Sequence, residues 1–152
     1  MQMTLAPILD VSKVREFAGN EALAEFFRRF PPLWSMSDES LRSLLGTTYY
    51  VRQGEEIVGL LSLTAFDSNC RKVDLGIAIL PIKGRRALAT QACELVAEYV
   101  FESLGYNKIT CNVLDSRSDL VDLLSSHGFV IEGTLRDSCY WQGRHHNEII
   151  LS

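Results

Sequence analysis

The sequence predicts a mixed α/β fold, because its apolar residues change repeatedly between the spacing of strands and the spacing of helices. Residues 72–104 have the pattern of a strand, a basic turn and a helix, and residues 108–132 that of strand, helix and strand. Residues 138–151 have the pattern of a hairpin. These three segments predict one sheet with helices packed against it.

The N-terminal third is expected to be mainly helical. Residues 4–10 predict a short strand and residues 11–30 a helix, which Pro31 and Pro32 end because proline cannot continue it. Residues 37–45 predict a second helix with Ser37 as its N-cap.

A change of period at Thr47 predicts the start of the main sheet. Residues 48–53 and 56–66 alternate as strands on either side of a turn at Gly54 and Glu55. Residues 67–71 then form a loop.

The next segment is the most informative part of the chain. In the strand at 72–80, Gly76 and Ala78 lie on one face and are small enough to leave room beside them. A helix begins near Arg86 or Ala87 and ends at about residue 104. A strand, a basic turn and a helix start are how a fold presents free N–H groups to a phosphate.

The last third alternates short strands and helices. Residues 108–113 predict a strand, 115–117 a turn, 118–127 a helix and 129–132 another strand. Two final strands, at 138–141 and 147–151, are linked through Gln142 and Gly143.

Length and charge limit the function classes. The chain has 152 residues, so we expect a single domain over 1–152. Its formal charge of −4 argues against a nucleic-acid binder. No apolar run approaches the roughly 20 residues that span a bilayer, and the N-terminus has no signal pattern. We therefore expect a cytoplasmic protein that binds no nucleic acid and no membrane.

The cysteines and histidines do not predict a metal site. The four cysteines stand singly, without the spacing of zinc ligands. His145 and His146 are neighbours in a strand and point to opposite faces. We expect packed, reduced thiols and no metal.

Three sequence motifs indicate a family. They are Asp74-Leu75-Gly76-Ile77 with Pro81 at the strand end, Ala89-Thr90-Gln91-Ala92 at the helix start, and the run at 128–136. In this order, with Gly143-Arg144 before the last strand, the chain resembles the GCN5-related N-acetyltransferase (GNAT) fold over nearly its whole length. The resemblance is greatest to its ribosomal-protein acetyltransferase-like branch.

This resemblance implies a mixed, mostly antiparallel sheet with helices on both faces. Two parallel strands, here 72–80 and 108–113, would splay to form a cleft for acetyl-CoA or another acyl-CoA. The implied activity is acyl transfer, by direct attack, to a primary amine of a small molecule, an amino sugar or a protein N-terminus. A homodimer is compatible with the sequence.

The cofactor-binding residues are expected around the basic turn. The first N–H groups of a helix lack partners, so Arg86, Ala87, Leu88 and Ala89 are candidate donors to a pyrophosphate. Backbone N–H groups near Ile79 and Leu80 would meet the thioester oxygen. The full set of expected cofactor contacts is Ile79, Leu80, Lys83, Gly84, Arg85, Arg86, Ala87, Leu88, Ala89, Thr90 and Arg117.

Candidates for proton transfer and acceptor binding follow from the chemistry and the resemblance. Asp74, where relatives often have Glu, is the candidate base for the amine proton. The leaving thiolate would be protonated by Ser125, by Ser126 or by water, with His127 as a more remote candidate. The expected acceptor contacts are Trp34, Tyr49, Arg136, Tyr140 and Trp141.

Several departures from the family pattern keep a second hypothesis open. Gly84 stands where relatives have Gln or Arg, Ala87 replaces a glycine, and Arg117 stands where an Asn is frequent. The helix before Gly128 has no tyrosine, which many relatives use as the acid. The alternative is a catalytically altered binding or regulatory protein of the same fold, with weak or no CoA binding.

Overall fold

The computed structural model describes residues 2–20, 23–28 and 30–152. The strands are β1 (Met3–Pro7), β2 (Thr48–Gln53), β3 (Glu56–Asp67), β4 (Lys72–Ile79), β5 (Lys108–Leu114), β6 (Ile131–Trp141) and β7 (Arg144–Leu151). The α-helices are α1 (Ser12–Ala18), α2 (Asp38–Leu44), α3 (Arg85–Glu98) and α4 (Ser118–Ser126). Short 3₁₀ turns occupy Ala24–Phe27 and Leu33–Ser35, and a π-helical turn, Tyr99–Ser103, follows α3.

One seven-stranded sheet has the order β1-β2-β3-β4-β5-β7-β6. The β1–β2, β2–β3, β5–β7 and β6–β7 pairs are antiparallel. The β4–β5 pair is parallel and joins residues 72–74 to residues 108–110. The predicted fold class, a mixed α/β fold with a mostly antiparallel sheet, is confirmed. Among the described helices, none is long and apolar enough to cross a bilayer.

The chain forms two compact units, each built from separate stretches of sequence. The first contains the residues up to Leu63 together with Gly76–Ala89, and the second contains Thr64–Leu75 together with Thr90–Ser152. The proposed phosphate turn and the first residues of α3 therefore belong to the first unit.

The first unit has a buried core between its short helices and its strands. Val14 and Phe17 of α1, Leu41 of α2, Tyr50 of β2 and Leu60 of β3 are buried in one cluster. Burial of this apolar surface is the main stabilising contribution to the unit.

The long helix predicted over 11–30 is wrong in its extent. Helix α1 ends at Ala18, where the Gly19 N–H donates to the Glu16 carbonyl over 3.2 Å and the Asn20 N–H to the Phe17 carbonyl over 2.9 Å. A separate 3₁₀ turn then covers Ala24–Phe27. Positions 21, 22 and 29 of the predicted helix lie outside the described residues.

The second unit contains most of α3, α4 and the strands β5, β6 and β7. Ala92, Cys93 and Val96 are buried on one face of α3, whereas Tyr99, which the apolar spacing assigns to that face, is exposed. Cys111 in β5 and Leu151 in β7 are paired in register and are also buried.

The strands predicted at 129–132 and 138–141 are parts of one strand, β6, interrupted by an irregularity between Leu135 and Cys139. Asp137 adopts a left-handed φ of 48° there, and its N–H donates to Asn147 Oδ1 over 2.9 Å. The Ser138 hydroxyl donates to Glu148 Oε1 over 2.8 Å. Two successive β7 residues thus hold the extra residues of β6.

Gly59 provides a test of the packing in the first unit. A methyl group at this position would overlap the carbonyl oxygen of Ala78 and lie 2.8 Å from Ile79 Cδ1. We expect Gly59→Ala to lower the free energy of unfolding by about 2–4 kcal/mol, as overpacking against backbone does. The measurement is urea unfolding followed by circular dichroism.

The matched control is Gly133→Ala, because an added Cβ there meets no atom within 4 Å. We expect a change within about 0.5 kcal/mol. Equal stability of the two variants would contradict the packing described for Gly59.

Candidate functional site

The end of β4 is held by hydrogen bonds on two neighbouring residues. The Leu80 N–H donates to the Val58 carbonyl over 2.8 Å. The Ile79 carbonyl accepts a hydrogen bond of 3.0 Å from Arg85 Nε. Because successive strand residues direct their backbone groups to opposite sides, the Ile79 N–H lies on the side away from Val58.

This geometry corrects one expected donor. Leu80 was predicted to offer its N–H to a thioester oxygen, but that N–H already has the Val58 carbonyl as acceptor. Ile79 is therefore the candidate donor at the strand end.

The turn after β4 is closed by its own backbone. The Ile82 N–H donates to the Leu80 carbonyl over 2.8 Å, and the Arg85 N–H to the Ile82 carbonyl over 3.1 Å. Gly84 has a φ of +80°, which L residues with a side chain rarely adopt. The turn therefore favours glycine at the position where relatives have a polar residue.

The start of α3 leaves a small set of N–H groups without backbone acceptors. The Leu88 N–H donates to the Gly84 carbonyl over 2.9 Å, as the first intrahelical bond, so Leu88 and the following Ala89 are not donors to a ligand. Within the described part of the chain, the N–H groups of Gly84, Arg86 and Ala87 have no backbone acceptor. They lie at the positive end of a 14-residue helix.

The substitution of alanine for the family glycine at position 87 does not strain the turn. Ala87 is helical, is exposed and has no positive φ. A methyl group is therefore accommodated, and the N–H keeps its helical direction.

The three basic side chains of the turn are not equivalent. Lys83 and Arg86 are exposed, whereas Arg85 is half-buried and directs its Nε to the Ile79 carbonyl. Lys83 and Arg86 are available to an anion, and Arg85 holds the strand end.

The other two expected cofactor contacts lie in the second unit. Thr90 is half-buried within α3. Arg117 precedes α4 and donates from Nε to Asp119 Oδ1 over 3.0 Å and from Nη2 to Oδ2 over 3.1 Å. Its guanidinium is thus paired with a carboxylate.

The two candidate catalytic residues also lie in the second unit. Asp74 is half-buried in β4, in register with Thr110 of β5, and it has a polar partner. Ser125 is exposed in the last turn of α4, beside Ser126 and His127, whose side chains contact the Leu123 carbonyl.

The predicted acceptor contacts are divided between the two units. Trp34, 87% exposed, and the half-buried Tyr49 belong to the first unit. Arg136, Tyr140 and Trp141 belong to the second, where the Tyr140 ring contacts His145 at a centroid distance of 5.2 Å.

The small-residue face of β4 is partly occupied by the protein itself. A Cβ added at Gly76 would lie 2.5 Å from Ser62 Oγ and 3.5 Å from Phe26 Cε2. Ala78 packs against the apolar cluster of the first unit. The room predicted beside this face is therefore narrow.

A cavity of about 320 Å³ lies within the second unit, and no predicted site residue lines it. Its walls include Cys93, Phe101, Ile109, His127 and Phe129. Burial, with the nearby Glu94 charge, raises the pKa of the Cys93 thiol to about 11. A thiol with this pKa is protonated at neutral pH and is a poor nucleophile.

The described residues contain no group of three or more His, Cys, Asp or Glu side chains placed to hold a metal ion.

One residue that holds a loop in place, Arg15, was not indicated by the sequence. Arg15 of α1 donates to the carbonyls of Leu33 and Met36, over 2.7 and 2.8 Å, and to Asp38 Oδ1. These partners lie 18 to 23 positions along the chain, so no local pattern indicates the contact.

Comparisons with known proteins show the family and the fold of the chain. A family model described as the acetyltransferase (GNAT) domain matches residues 4–130. The putative ribosomal N-acetyltransferase YdaF of Bacillus subtilis (strain 168) is 26% identical over 137 residues, which cover 90% of this chain and 73% of that protein. The uncharacterized N-acetyltransferase p20 of Bacillus licheniformis is 24% identical over 143 residues, covering 93% and 72% respectively.

A solved structure shows the same fold. A chimera of the spermidine N-acetyltransferase SpeG from Vibrio cholerae and hSSAT superposes with a TM-score of 0.82. It is 21% identical and the match covers 99% of this chain and 94% of that chain. At this identity the likeness supports the fold alone.

The different roles of the two arginines predict different effects on stability. Arg85→Met removes the charged hydrogen bond to the Ile79 carbonyl and should lower the free energy of unfolding by about 1–2 kcal/mol. Arg86→Met, at an exposed position, should change it by less than about 0.5 kcal/mol. Urea unfolding of the two variants beside the wild type measures the difference, and equal losses would contradict these roles.

Proposed function

Because the chain belongs to the GNAT acetyltransferase family, we propose that it transfers an acyl group from acetyl-CoA, or another acyl-CoA, directly to a primary amine. The observation that carries the proposal is the group of unpaired N–H donors at Gly84, Arg86 and Ala87, directly after the end of β4. Family membership makes the protein an N-acetyltransferase; the site residues are our proposal.

The residues of the turn fit a pyrophosphate. Backbone N–H groups at a helix start bind anions, since the helix dipole favours negative charge there. Lys83 and Arg86 are exposed beside these donors and carry no acidic partner in the described contacts. A phosphate would gain both hydrogen bonds and salt-dependent attraction at this turn.

Two further groups are assigned to the acyl transfer. Acetyl-CoA supplies an activated thioester to a primary amine. The Ile79 N–H, on the open side of β4, would donate to the carbonyl oxygen at which negative charge develops. Asp74, half-buried in the same strand, would take the proton of the attacking ammonium, directly or through water.

The acceptor belongs to one of three classes of amine. These are a small molecule, an amino sugar and a protein N-terminus. The names of the relatives include both a ribosomal and a spermidine acetyltransferase, which agrees with amines as acceptors. Trp34, Tyr49, Arg136, Tyr140 and Trp141 are the proposed contacts.

A second candidate function is a binding or regulatory protein of the same fold. The observation that favours it is the Arg117–Asp119 pair at a position where the family contacts its cofactor. In addition, Leu123 and Leu124 are buried in the helix where many relatives have a tyrosine. Ser125, which is exposed, is the side chain that we propose as the acid, with Ser126 and water as alternatives.

Calorimetric titration with acetyl-CoA at two salt concentrations tests the proposed turn. The wild type should bind, with affinity that falls as salt rises, and Arg86→Met should bind about three- to tenfold more weakly with a smaller salt dependence. Lys13→Met is the matched control, since Lys13 lies on α1 and pairs with Glu16. No binding by the wild type would favour the regulatory alternative.

Acyl transfer itself is measured by mass spectrometry on a panel of amines and peptides. Mass detection is preferable to a thiol reagent because Cys70 is exposed. A gain of one acetyl group that depends on enzyme supports the proposed activity, whereas binding of acetyl-CoA without transfer to any amine supports the second candidate.

Asp74→Asn tests the proposed base. An amide cannot take the proton, so kcat should fall by about 10²-fold or more, while the dissociation constant for acetyl-CoA stays within about twofold. Asp122→Asn, on the exposed side of α4, is the control for loss of one carboxylate. Turnover equal to that of the wild type would remove Asp74 from the mechanism.

A further inference from the structure

Trp34 is unusually exposed for a tryptophan. It lies at the centre of the 3₁₀ turn Leu33–Ser35, and 87% of its surface is accessible. Its neighbours Leu33 and Met36 are partly buried against the core cluster of the first unit. The two apolar side chains that flank Trp34 in this segment are thus partly buried, whereas the indole remains in water.

The turn that carries Trp34 is held rigidly. The Arg15 guanidinium donates to the Leu33 and Met36 carbonyls, over 2.7 and 2.8 Å, and so spans the turn from both ends. The Ser35 hydroxyl donates to the Pro32 carbonyl over 2.6 Å, and Ser37 caps α2 immediately afterwards. An exposed ring on a fixed backbone is preorganised for contact, because little conformational entropy is lost on binding.

The same core joins this turn to the end of β4. Leu33 and Met36 pack against the cluster on which Ala78 and Leu80 also pack, and all of these residues belong to the first unit. The turn is thus fixed to the same core as the strand that leads into the proposed cofactor turn.

The local charges suit a cation. Nη2 of Arg15 lies 2.8 Å from Asp38 Oδ1, so the positive charge of the Arg15 guanidinium is neutralised by this ion pair. Glu39, in the first turn of the helix that follows Trp34 in the chain, carries an exposed carboxylate. An indole face is the strongest aromatic partner for an ammonium group.

The geometry points to Trp34 as a specificity-determining residue that binds a second positive charge on the acceptor, with Arg15 as its positioning residue. This inference rests on the proposed acyl transfer. The cation in contact with the ring is a second group and not the reacting amine, since stabilising the reacting ammonium would oppose its deprotonation. The acceptor class is an amine that carries another cationic group.

A matched pair of acceptors tests this inference. 1,5-Diaminopentane and pentylamine have the same chain length and differ in the second ammonium. The wild type should favour the diamine in kcat/KM by about fivefold, mainly through KM. Trp34→Ala should reduce this ratio to about one, and Trp34→Phe should retain most of it. Tyr99→Ala, at an exposed aromatic residue of the second unit, should leave the ratio unchanged.

Arg15→Met tests the positioning role. Loss of the three contacts should lower the diamine-to-monoamine ratio toward one while kcat for pentylamine stays within about twofold. A purely structural role would reduce both acceptors equally and leave the ratio unchanged.

A binding readout separates recognition from turnover. The sequence has two tryptophans, so the emission of Trp34 is the difference between the wild type and Trp34→Phe. This emission should change at lower concentrations of 1,5-diaminopentane than of pentylamine.

Transfer to amines with a ratio near one in the wild type, or a ratio unaffected by Trp34→Ala, would overturn the inference and leave the proposed function intact. No transfer to any amine would overturn both.

Discussion

Two hydrogen bonds at the end of β4 fix the proposed cofactor turn. The Leu80 N–H is held by the Val58 carbonyl, and the Ile79 carbonyl is held by the Arg85 guanidinium. Because these bonds act on opposite sides of the strand, they determine the direction in which the chain leaves it. Gly84, in a left-handed conformation, then turns the chain into α3, which begins at the next residue. The positions of the helix N–H groups follow from this strand end.

The strand end in turn depends on a close approach within the first unit. Gly59 has no side chain, which allows the Ala78 carbonyl and Ile79 to lie against β3. Val58, the residue before it, supplies the acceptor for Leu80. The absence of one Cβ and the presence of one hydrogen bond are therefore parts of the same packing arrangement.

Features that depend on neighbouring residues, such as strands, turns and helices, could be predicted from the sequence. Features that depend on hydrogen bonds between distant residues could not. The strand, turn and helix predicted over 72–104 correspond to β4, α3 and the π-helical turn that follows α3, because periodicity and Gly84 act locally. The hydrogen bond from the Leu80 N–H was not predicted, because its acceptor, the Val58 carbonyl, lies 22 positions earlier in the chain. The continuous β6 was also missed, because Asn147, in the following strand, holds the extra residues of the earlier one. At the site, Arg85 differs from Arg86 because its guanidinium donates to the Ile79 carbonyl, a contact that no sequence pattern indicates.

The departures from the family pattern have unequal consequences, because some affect backbone donors and others affect side-chain contacts. Donors at Gly84, Arg86 and Ala87 are backbone groups, so a helical, exposed alanine in place of glycine leaves them in position. Contacts that are made by a particular side chain are lost when that side chain is replaced. Arg117 is paired with Asp119, and Leu123 and Leu124 are buried where a tyrosine is frequent in the family. We therefore expect the changes at 117, 123 and 124 to affect the side-chain contacts to the cofactor and proton delivery to the leaving group more than phosphate binding by the turn, so that affinity for acetyl-CoA and turnover should respond to different substitutions.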